Sequence, residues 1–258
     1  MGIFFNTEIE FDKQVVEELI EDAIANGNTG YVCAVESNNL TYANTHPEFM
    51  EVVNSSLVNT CDGSVLAAML SRIYRTSLSS YVGADLFMNF LNKRKYQHFF
   101  LGNTEPVLLG LKRNVSHIDS QLVEAPFVTL PFKSVHEFDY PSIAAQINSC
   151  NPDIIWVSLG APKQEYFMNQ LKPFLKRGVM FGVGAVFNFY SGVGPVKRAP
   201  LFMRKLKLEW LYRAFEEPHK NIPRYWRFIK ILPGLLVAES RKARALRSQI
   251  SGEFVQDA

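Results

Sequence analysis

An apolar run that ends at a glycine and leads into a helix start constrains this fold more than any other stretch. Residues 154–159 read Ile-Ile-Trp-Val-Ser-Leu, without the alternation of polar and apolar side chains that a half-exposed strand shows. Such a run is typical of a strand buried on both faces, as in a parallel sheet covered by helices. Gly160 lets the backbone turn sharply, and Pro162 suits the first turn of a helix. The stretch therefore predicts a buried strand followed by a helix.

The corner after this strand is also a candidate anion site. Free N–H groups and the helix dipole attract anions to a helix start, and Lys163 adds a full positive charge beside Gln164 and Glu165. The alternative is an ordinary strand-to-helix corner. A second glycine-marked strand end follows at residues 182–189. Two such corners close in sequence are expected to form the two walls of one crevice.

Strands and helices alternate over most of the chain. We predict strands at residues 31–35, 57–59, 81–83, 98–101, 127–130, 154–159 and 179–183. Apolar residues at helical spacing predict helices at residues 11–25, 47–53, 64–70, 107–111 and 142–148. This alternation predicts a Rossmann-like α/β fold, in which a parallel sheet is flanked by helices and ligands bind at the carboxyl ends of the strands.

The pattern changes after residue 191, where two glycines and a proline at 192–195 interrupt the alternation. Two helices are predicted beyond this break, at residues 201–217 and 223–232, each ended by a proline. We therefore expect a Rossmann-like α/β domain at residues 1–195 and a helical C-terminal appendage at residues 196–258.

Positive charge is concentrated in this C-terminal segment. From Lys197 to the end there are 14 Lys and Arg against 6 Asp and Glu, whereas residues 1–196 have 13 against 19. An acidic body with a basic end predicts that the end contacts an anionic surface. Aromatic residues are interleaved with the basic ones, which suits helices lying among lipid headgroups. The alternative is that the aromatic side chains pack on the body while the charges are solvated.

Residue usage argues against several kinds of site. The three cysteines are widely spaced and are expected to be reduced and buried, and the five histidines lack the spacing of zinc ligands. Asp-x-Asp, Walker, Gly-x-Gly-x-x-Gly and Gly-x-Ser-x-Gly motifs do not occur. There is no signal-peptide pattern and no run of the ~18 apolar residues that span a bilayer. We expect a cytosolic protein whose membrane contact is peripheral.

Asp62 is the best candidate for a catalytic residue. It precedes Gly63 at the end of a predicted strand, where a lone carboxylate can point into the crevice and act as a general base. The alternative is an Asp-Gly turn without a chemical role. Glu36, Asn38 and Asn39 follow another predicted strand and are candidates to hydrogen-bond a sugar or to orient the base. The alternative for these three residues is a polar loop.

Arginines of the basic segment are candidate phosphate ligands. They are Arg198, Arg213, Arg224 and Arg227. Guanidinium groups bind phosphate through paired hydrogen bonds, so that they could neutralise a diphosphate without a metal ion. For each arginine taken singly, a solvated surface charge is the simpler interpretation.

Three blocks of the sequence, read together, match the pattern of a known family. They are Thr-Cys-Asp-Gly at 60–63 with Tyr-Val-Gly-Ala-Asp-Leu at 81–86, then Ser-Leu-Gly-Ala-Pro-Lys-Gln-Glu at 158–165, and finally the stretch from Gly182 through Lys-Arg-Ala-Pro at 197–200 to Leu-Glu-Trp-Leu-Tyr-Arg at 208–213. Over about residues 30–235 the chain resembles the WecG/TagA/CpsF glycosyltransferase family. The last two blocks are highly specific, because their combination is hard to explain by chance.

The resemblance implies a glycosyltransferase that moves a hexose or N-acetylhexosamine from a UDP-sugar to a polyprenyl-diphosphate-linked saccharide in cell-surface polysaccharide synthesis. It also implies inversion at the transferred sugar, no metal ion or other cofactor, and a location at the inner face of the plasma membrane. Asp62 falls on the family's Asp-Gly carboxylate, which is taken as the base, and Gln164 falls in the nucleotide-sugar site. The basic segment corresponds to an appendage that contacts the membrane and supplies arginines, for which Arg213, Arg224 and Arg227 are the candidates.

The corners and the resemblance together define the expected sites. The expected substrate-binding residues are Glu36, Asn38, Asn39, Gly83, Asp85, Gly102, Gly160, Pro162, Lys163, Gln164, Glu165, Gly184, Asn188 and Arg198. Arg213, Arg224 and Arg227 are expected at the phosphates or the lipid-linked acceptor, and no residue is assigned to a metal. The expected partners are the UDP-sugar, the acceptor and an anionic membrane surface; a homo-oligomer is left open, and no nucleic acid is expected.

Two positions depart from the family pattern and leave the transferred sugar open. The family's Thr-x-Asn after the second strand is Ala-Val-Glu at 34–36, and its Phe-Asp-Phe is Phe-Asn-Phe at 187–189. These departures keep open a non-catalytic, membrane-apposed protein that binds UDP-sugars or acts as a scaffold. A second alternative is a soluble nucleotide-dependent enzyme whose C-terminal segment only caps the sheet.

Overall fold

A six-stranded sheet forms the centre of the computed structural model, which describes residues 1–194 and 196–256, with side chains up to residue 249. The strands are β1 Gly2–Phe4, β2 Thr7–Ile9, β3 Thr29–Val35, β4 Val58–Cys61, β5 His98–Gly102, β6 Phe127–Val128, β7 Ile154–Ser158 and β8 Gly178–Gly182. The helices before residue 195 are α1 Lys13–Ala25, α2 Ser37–Ala43, α3 Pro47–Asn54, α4 Ser64–Tyr74, α5 Gly83–Asn92, α6 Glu105–Val115, α7 Tyr140–Cys150, α8 Lys163–Leu171 and α9 Val186–Ser191. The helices after it are α10 Leu201–Lys205, α11 Glu209–Glu216 and α12 Pro218–Gln256.

The central sheet is parallel throughout and is covered on both faces. Its strand order is β4-β3-β8-β7-β5-β6. Side chains of β7 enter two different cores, Ile155 and Val157 on one face, Ile154 and Trp156 on the other, and all four are fully buried. The predicted α/β fold is therefore confirmed, and the run at 154–159 contains the doubly buried strand. β1 and β2 form a separate antiparallel hairpin, which the sequence pattern does not predict.

One predicted strand does not form. At residues 81–83 the amide of Tyr81 donates to the carbonyl of Cys61 at 2.9 Å, but Gly83 already begins α5. The cause is a contact with another part of the chain, because the amide of Gly83 donates to the carboxylate of Asp62 at 3.3 Å and not to a neighbouring strand. This segment therefore contacts the end of β4 without adding a strand to the sheet.

The prediction of buried cysteines needs one correction. Cys33 and Cys61 are buried in the sheet, as expected, and all three thiols are free. Cys150 is exposed, because it lies in the last turn of α7, where the helix ends at the surface.

The C-terminal segment, residues 196–256, differs most from its prediction. The helix predicted at 201–217 is interrupted between α10 and α11, where Lys207 has a left-handed backbone with φ of +60°. α11 does end before Pro218, as predicted, but Pro218 also begins α12, since a proline at the first position of a helix lacks only an N–H that has no partner there. Pro195, part of the predicted break, lies outside the described residues, so the domain boundary at 195 stays a prediction.

α12 also passes through two prolines that were expected to bound a shorter helix. Pro223 and Pro233 each remove one backbone hydrogen bond from its interior. α12 packs along α2 and α4, and this packing offsets the loss. Tertiary contact therefore overrides the local preference of the sequence.

A buried carboxylate attaches α12 to the body. Glu239 is 4% exposed; it accepts a hydrogen bond from the amide of Phe5 at 2.7 Å and another from the hydroxyl of Tyr74 at the end of α4. Leu235 and Ala243, one turn before and one turn after, are buried as well. Because a buried carboxylate is costly without such partners, this contact holds α12 in place along α4.

Large apolar side chains remain exposed on other faces of the C-terminal segment. They are Leu201, Phe202, Leu206, Trp210, Phe215, Ile222, Trp226, Ile229, Val237 and Leu246. Part of α12 packs on the body while these side chains contact solvent, so packing on the body accounts for only some of the apolar residues, and contact with lipid headgroups stays a prediction. Within the described residues, no helix combines the length and the apolar character that crossing a bilayer requires.

Candidate functional site

A cleft of about 420 Å³ lies at the carboxyl ends of β3, β4, β7 and β8, between the sheet and the C-terminal segment. The body contributes Ala34, Glu36, Ser37, Asn39, Asp62, Gly63, Ser64, Val65, Leu66, Met69, Val82, Ala84, Gly160, Ala161, Gln164, Gly182, Val183, Gly184, Ala185, Val186 and Phe189. The C-terminal segment contributes Arg198, Glu209, Trp210, Arg213, Lys220, Asn221, Arg224, Tyr225, Phe228, Ile229 and Leu232. The cleft is therefore at the edge where parallel sheets bind ligands, and both glycine corners line it.

Asp62 is the first residue after β4 and lines the cleft. Its Oδ1 accepts a hydrogen bond from the amide of Gly83 at 3.3 Å. Burial raises the pKa of Asp62 to about 7; Arg213 and the Gly83 amide oppose the shift, whereas the carboxylates of Glu36 and Glu209 reinforce it. A carboxylate that titrates near neutral pH is suited to accept a proton as a general base.

Residues 36–39 form the first turn of α2 and not a loop. Glu36 caps this helix, because its Oε2 accepts from the amide of Asn38 at 2.9 Å while its own amide donates to Asn39 Oδ1 at 3.3 Å. Glu36 and Asn39 line the cleft. Asn38 lies outside the lining. Its side chain is buried, and neither Nδ2 nor Oδ1 of that side chain has a hydrogen-bond partner among the described residues. The cap fixes which of these polar side chains reach the cleft.

A chain of buried polar side chains connects α2 to the corner after β7. Asn39 Nδ2 and Gln164 Nε2 both donate to Glu165 Oε1, at 2.9 and 3.0 Å. Gln164 Oε1 accepts from the amide of Gly160 at 3.2 Å. A Cβ at Gly182 would lie 3.0 Å from Gln164 Nε2, so a glycine at the end of β8 leaves room for this side chain. The two glycine corners thus meet at Gln164, which faces the cleft.

Glu165 supports this chain from outside the cleft. Its side chain is fully buried, and burial raises its pKa to about 7 despite the donors from Gln164 and Asn39. Its second oxygen, Oε2, has no partner among the described residues. Glu165 therefore orients the two amides that line the cleft, and does not line the cleft itself.

Two of the cations that line the cleft are paired within the protein. Arg198 forms an ion pair with Asp85 and donates to the hydroxyl of Tyr190 at 3.1 Å. Lys220, in the first turn of α12, pairs with Glu217, the residue before this helix, at 3.0 Å. These contacts balance part of the positive charge before any ligand binds.

Arg213 and Arg224 differ from Arg198 and Lys220. Over the described parts of the chain, neither forms an ion pair. The guanidinium of Arg213 lies over the ring of Phe189, 4.7 Å from its centroid, and lowers the pKa of Asp62 against the effect of burial. The C-terminal segment therefore presents two guanidinium groups that are available to a polyanionic ligand.

Lys163 does not contribute to the cleft in the way that its position at the helix start suggests. Its ammonium group donates to the carbonyl of Lys133 and lies 5.3 and 5.1 Å from the rings of Phe132 and Phe138. These contacts turn the side chain away from the cleft, so the expected charge at this helix start is absent from the lining.

Other predicted ligands also lie outside the lining. The guanidinium of Arg227 lies 5.8 Å from the ring of Tyr42. Asn188 Oδ1 accepts from Asn103 Nδ2 at 2.9 Å, so the departure from the family's aspartate changes an internal contact and not the cleft wall. The predicted residues that likewise stay outside are Asn38, Gly83, Asp85, Gly102, Pro162 and Glu165.

The cleft also contains side chains that the motifs do not single out as ligands. Trp210 and Tyr225 pack edge to face at 6.0 Å, and the Tyr225 hydroxyl donates to the Trp210 carbonyl at 3.1 Å. The signal for them is the mixture of aromatic and basic residues in the C-terminal segment, which was interpreted as a surface for lipid. Glu209 belongs to the family block at 208–213, but the sequence gives it no role, because only the fold brings it near Asp62.

Metal ligands are not grouped in the described residues, in which no three His, Cys, Asp or Glu side chains could hold an ion together. The most buried histidine, His98, has another role, since its Nδ1 accepts from Trp156 Nε1 at 3.1 Å. Burial lowers the pKa of His98 to about 4, so this ring is neutral at physiological pH.

Comparison with known proteins gives a match over nearly the whole chain. A sequence model of the Glycosyl transferase WecG/TagA/CpsF family matches residues 4–246. A protein of Bacillus subtilis (strain 168) named N-acetylglucosaminyldiphosphoundecaprenol N-acetyl-beta-D-mannosaminyltransferase is 34% identical over 188 residues, which are 69% of this chain and 70% of that protein. Proteins with the same name from Bacillus spizizenii and Staphylococcus aureus (strain MRSA252) are 28% and 26% identical, over 78% and 80% of this chain and 74% and 82% of theirs.

Proposed function

Because the chain belongs to the WecG/TagA/CpsF family of glycosyltransferases, we propose that it transfers an N-acetylhexosamine from a UDP-sugar to a polyprenyl-diphosphate-linked saccharide. The names of its relatives describe the transfer of N-acetyl-β-D-mannosamine to N-acetylglucosaminyl-diphosphoundecaprenol. This donor sugar and this acceptor are therefore the first pair to test. The product would be a lipid-linked disaccharide for cell-surface polysaccharide synthesis.

The observation that carries the proposal is the presence of Asp62, Arg213 and Arg224 in one cleft. Burial gives the Asp62 carboxyl a pKa of about 7, so that a large fraction is ionised at neutral pH and can still accept a proton. The two arginines come from the opposite side of the cleft and form no ion pair in the described structure. A proton acceptor and a diphosphate-binding pair are what a direct sugar transfer requires.

In the proposed reaction the acceptor hydroxyl attacks the anomeric carbon of the donor sugar. The new carbon–oxygen bond forms as the bond to the diphosphate breaks, the proton passes to Asp62, and UDP leaves with the bonding electrons. Arg213 and Arg224 stabilise the charge that develops on the diphosphate, the role that a metal ion has in many other transferases. Gln164, held by Glu165 and the Gly160 amide, is placed to contact the donor.

Inversion is expected because this scheme has a single displacement. UDP-N-acetylhexosamines hold the sugar through an α bond, and the relatives' names specify a β product. Glu36 and Glu209 also line the cleft, but Glu36 caps α2 through one carboxylate oxygen. Asp62 lies at the carboxyl end of β4, and burial raises its pKa to about 7, which suits a base. We therefore assign the base to Asp62 and no covalent sugar intermediate to the other carboxylates.

The function is tested by a screen of UDP-sugars against the purified protein, with a short-chain prenyl-diphosphate N-acetylglucosamine as acceptor. We expect UDP release that depends on the acceptor, is greatest with UDP-N-acetylmannosamine, persists in excess EDTA, and yields a β linkage by NMR. Loss of transfer in EDTA that Mg²⁺ or Mn²⁺ restores would refute the metal-independent mechanism. Binding of UDP without transfer from any donor would favour the non-catalytic alternative.

We further propose that the C-terminal segment contacts the inner face of the plasma membrane, where a lipid-linked acceptor lies. Trp210, Phe215 and Trp226 are 46, 77 and 60% exposed, on a segment with an excess of basic residues. Such a surface combines apolar insertion with attraction to anionic lipid. We expect the protein to float with anionic vesicles at low salt and to be released largely at high salt. Equal recovery with neutral and anionic vesicles would contradict an electrostatic contribution.

A further inference from the structure

The cleft has an apolar end that the transfer reaction described above does not use. It is formed by Val65, Leu66 and Met69 on α4 and by Phe228, Ile229 and Leu232 on α12. On each helix the three residues have the same spacing, i, i+1 and i+4, which places them on one face. We call these six side chains the apolar end of the cleft.

The face of α12 that lines the cleft changes from cationic to apolar along its length. Lys220, Arg224, Phe228 and Leu232 follow at intervals of four residues, and all line the cleft. At 1.5 Å per residue they span about 18 Å of helix. The positive charges therefore lie nearer the start of α12, and the apolar side chains lie farther along it.

The apolar end lies between the reacting groups and the attachment of α12. Asp62 lies two residues before the start of α4, and Glu239 contacts Tyr74 at the end of α4. Val65–Met69 precede Tyr74 on one helix, and Phe228–Leu232 precede Glu239 on the other. A ligand that extends from the cations along both helices would therefore meet these apolar side chains.

We propose that the apolar end binds the first isoprene units of the acceptor's lipid chain, an inference that rests on the proposed function. The acceptor has a sugar hydroxyl, a diphosphate and a polyprenyl chain in that covalent order. The cleft offers Asp62 for the hydroxyl, Lys220 at the start of α12 for the acceptor's diphosphate, and the apolar end for the chain, while Arg213 and Arg224 stay assigned to the diphosphate of UDP. The UDP-sugar has no apolar chain, so it does not match this arrangement. Charge complementarity to the diphosphate and continuity with the reacting groups both select the acceptor as the occupant.

The test varies the acceptor chain in buffer without lipid or detergent, so that membrane contact cannot contribute. N-acetylglucosamine acceptors with one, two and three isoprene units on the diphosphate are compared by KM. For the wild type we expect KM to fall at least about ten-fold from one unit to three, because each buried apolar carbon adds to binding. Leu232→Ser and Met69→Ser should reduce this ratio to about two-fold or less.

Two further variants complete the comparison. Ile229→Ser changes a side chain of the apolar end that is 52% exposed, so its effect on the ratio does not depend on a disturbed core. Val237→Ser changes an exposed apolar residue of α12 that is not part of the cleft, and it should keep the wild-type ratio and activity. An unchanged ratio in Leu232→Ser, Met69→Ser and Ile229→Ser would overturn the proposal, as would a wild type without chain-length dependence.

Direct binding separates this proposal from the proposed function. By calorimetry, farnesyl diphosphate should bind the wild type at least about ten-fold more tightly than inorganic diphosphate. Ile229→Ser should weaken the binding of farnesyl diphosphate and leave the binding of inorganic diphosphate unchanged. Transfer with no chain-length effect would refute the apolar end alone. Preferential binding of farnesyl diphosphate without transfer to any acceptor would support the apolar end and refute the proposed function.

Discussion

Replacement of Asp62 by Asn is expected to lower kcat by about 10²- to 10⁴-fold, the range of general-base catalysis. Asn has the same shape and can still accept the hydrogen bond that Gly83 donates at 3.3 Å, but it cannot take a proton. KM for the donor should change little, because Asp62 is assigned to the acceptor hydroxyl. The measurement is steady-state UDP release with saturating donor and acceptor.

Stability distinguishes a lost base from a damaged fold. The pKa of Asp62 is raised from 3.8 to about 7 in the folded chain, so the native state loses stability as pH rises between these values, and the loss is complete above about pH 7. Asp62→Asn removes this cost, and we expect it to be more stable than the wild type by about 2 kcal/mol at pH 8 and equal to it below pH 4. Asp22→Asn, on the exposed side of α1, should change neither stability nor kcat. Full activity in Asp62→Asn would remove this residue from the reaction.

The same residue should set the acid side of the pH profile. A base works only when it is deprotonated, so kcat/KM should fall about ten-fold per pH unit below about pH 7. Asp62→Asn should show a low rate without this limb. Because burial also raises the pKa of Glu165 to about 7, Glu165→Gln is the necessary comparison, and it should keep the limb. If the acid limb disappears in Glu165→Gln and persists in Asp62→Asn, the group that titrates is Glu165, and the assignment to Asp62 is refuted.

Removal of both Arg213 and Arg224 is expected to reduce kcat/KM by about 10³-fold or more, since each charge-assisted hydrogen bond to the diphosphate contributes about 1.5–3 kcal/mol. Each single change to Ala should cost about 10- to 100-fold on the same grounds. Lysine at either position should restore only part of the activity, because it keeps the charge and lacks the paired donors. The rate of UDP release measures the loss in kcat/KM, and the affinity for UDP measures how much binding of the diphosphate is lost.

Two controls define this second prediction. Arg241→Ala removes an exposed charge of α12 that is not part of the cleft lining, and it should leave kcat/KM unchanged. Arg227→Ala should have an effect of less than about five-fold, because its guanidinium faces Tyr42 and not the cleft. A loss in Arg227→Ala as large as in Arg213→Ala would mean that the orientation of α12 during the reaction differs from the one described.

The α/β fold could be predicted because each pattern that indicates it depends on the residues of one short stretch of chain. The unalternating run at 154–159 can be satisfied only by burial on both faces, and the glycines at 160 and 184 mark chain reversals where a side chain is disfavoured. Parallel strands place such reversals at one edge, so a ligand cleft there could be predicted. The strand expected at 81–83 failed because the amide of Gly83 finds Asp62 as its partner, a contact between residues 21 positions apart.

The sequence alone determined the parallel sheet, the edge where ligands bind and the candidacy of Asp62, since periodicity, glycines and motif spacing are written into short stretches of chain. Only the tertiary structure decided which of the arginines face that edge. Arg224 and Arg227 are three residues apart with the same chemistry, and the packing of α12 on α2 and α4 turns one to the cleft and the other to Tyr42. Burial, likewise, raised the pKa of Asp62, because solvation depends on everything that surrounds a group.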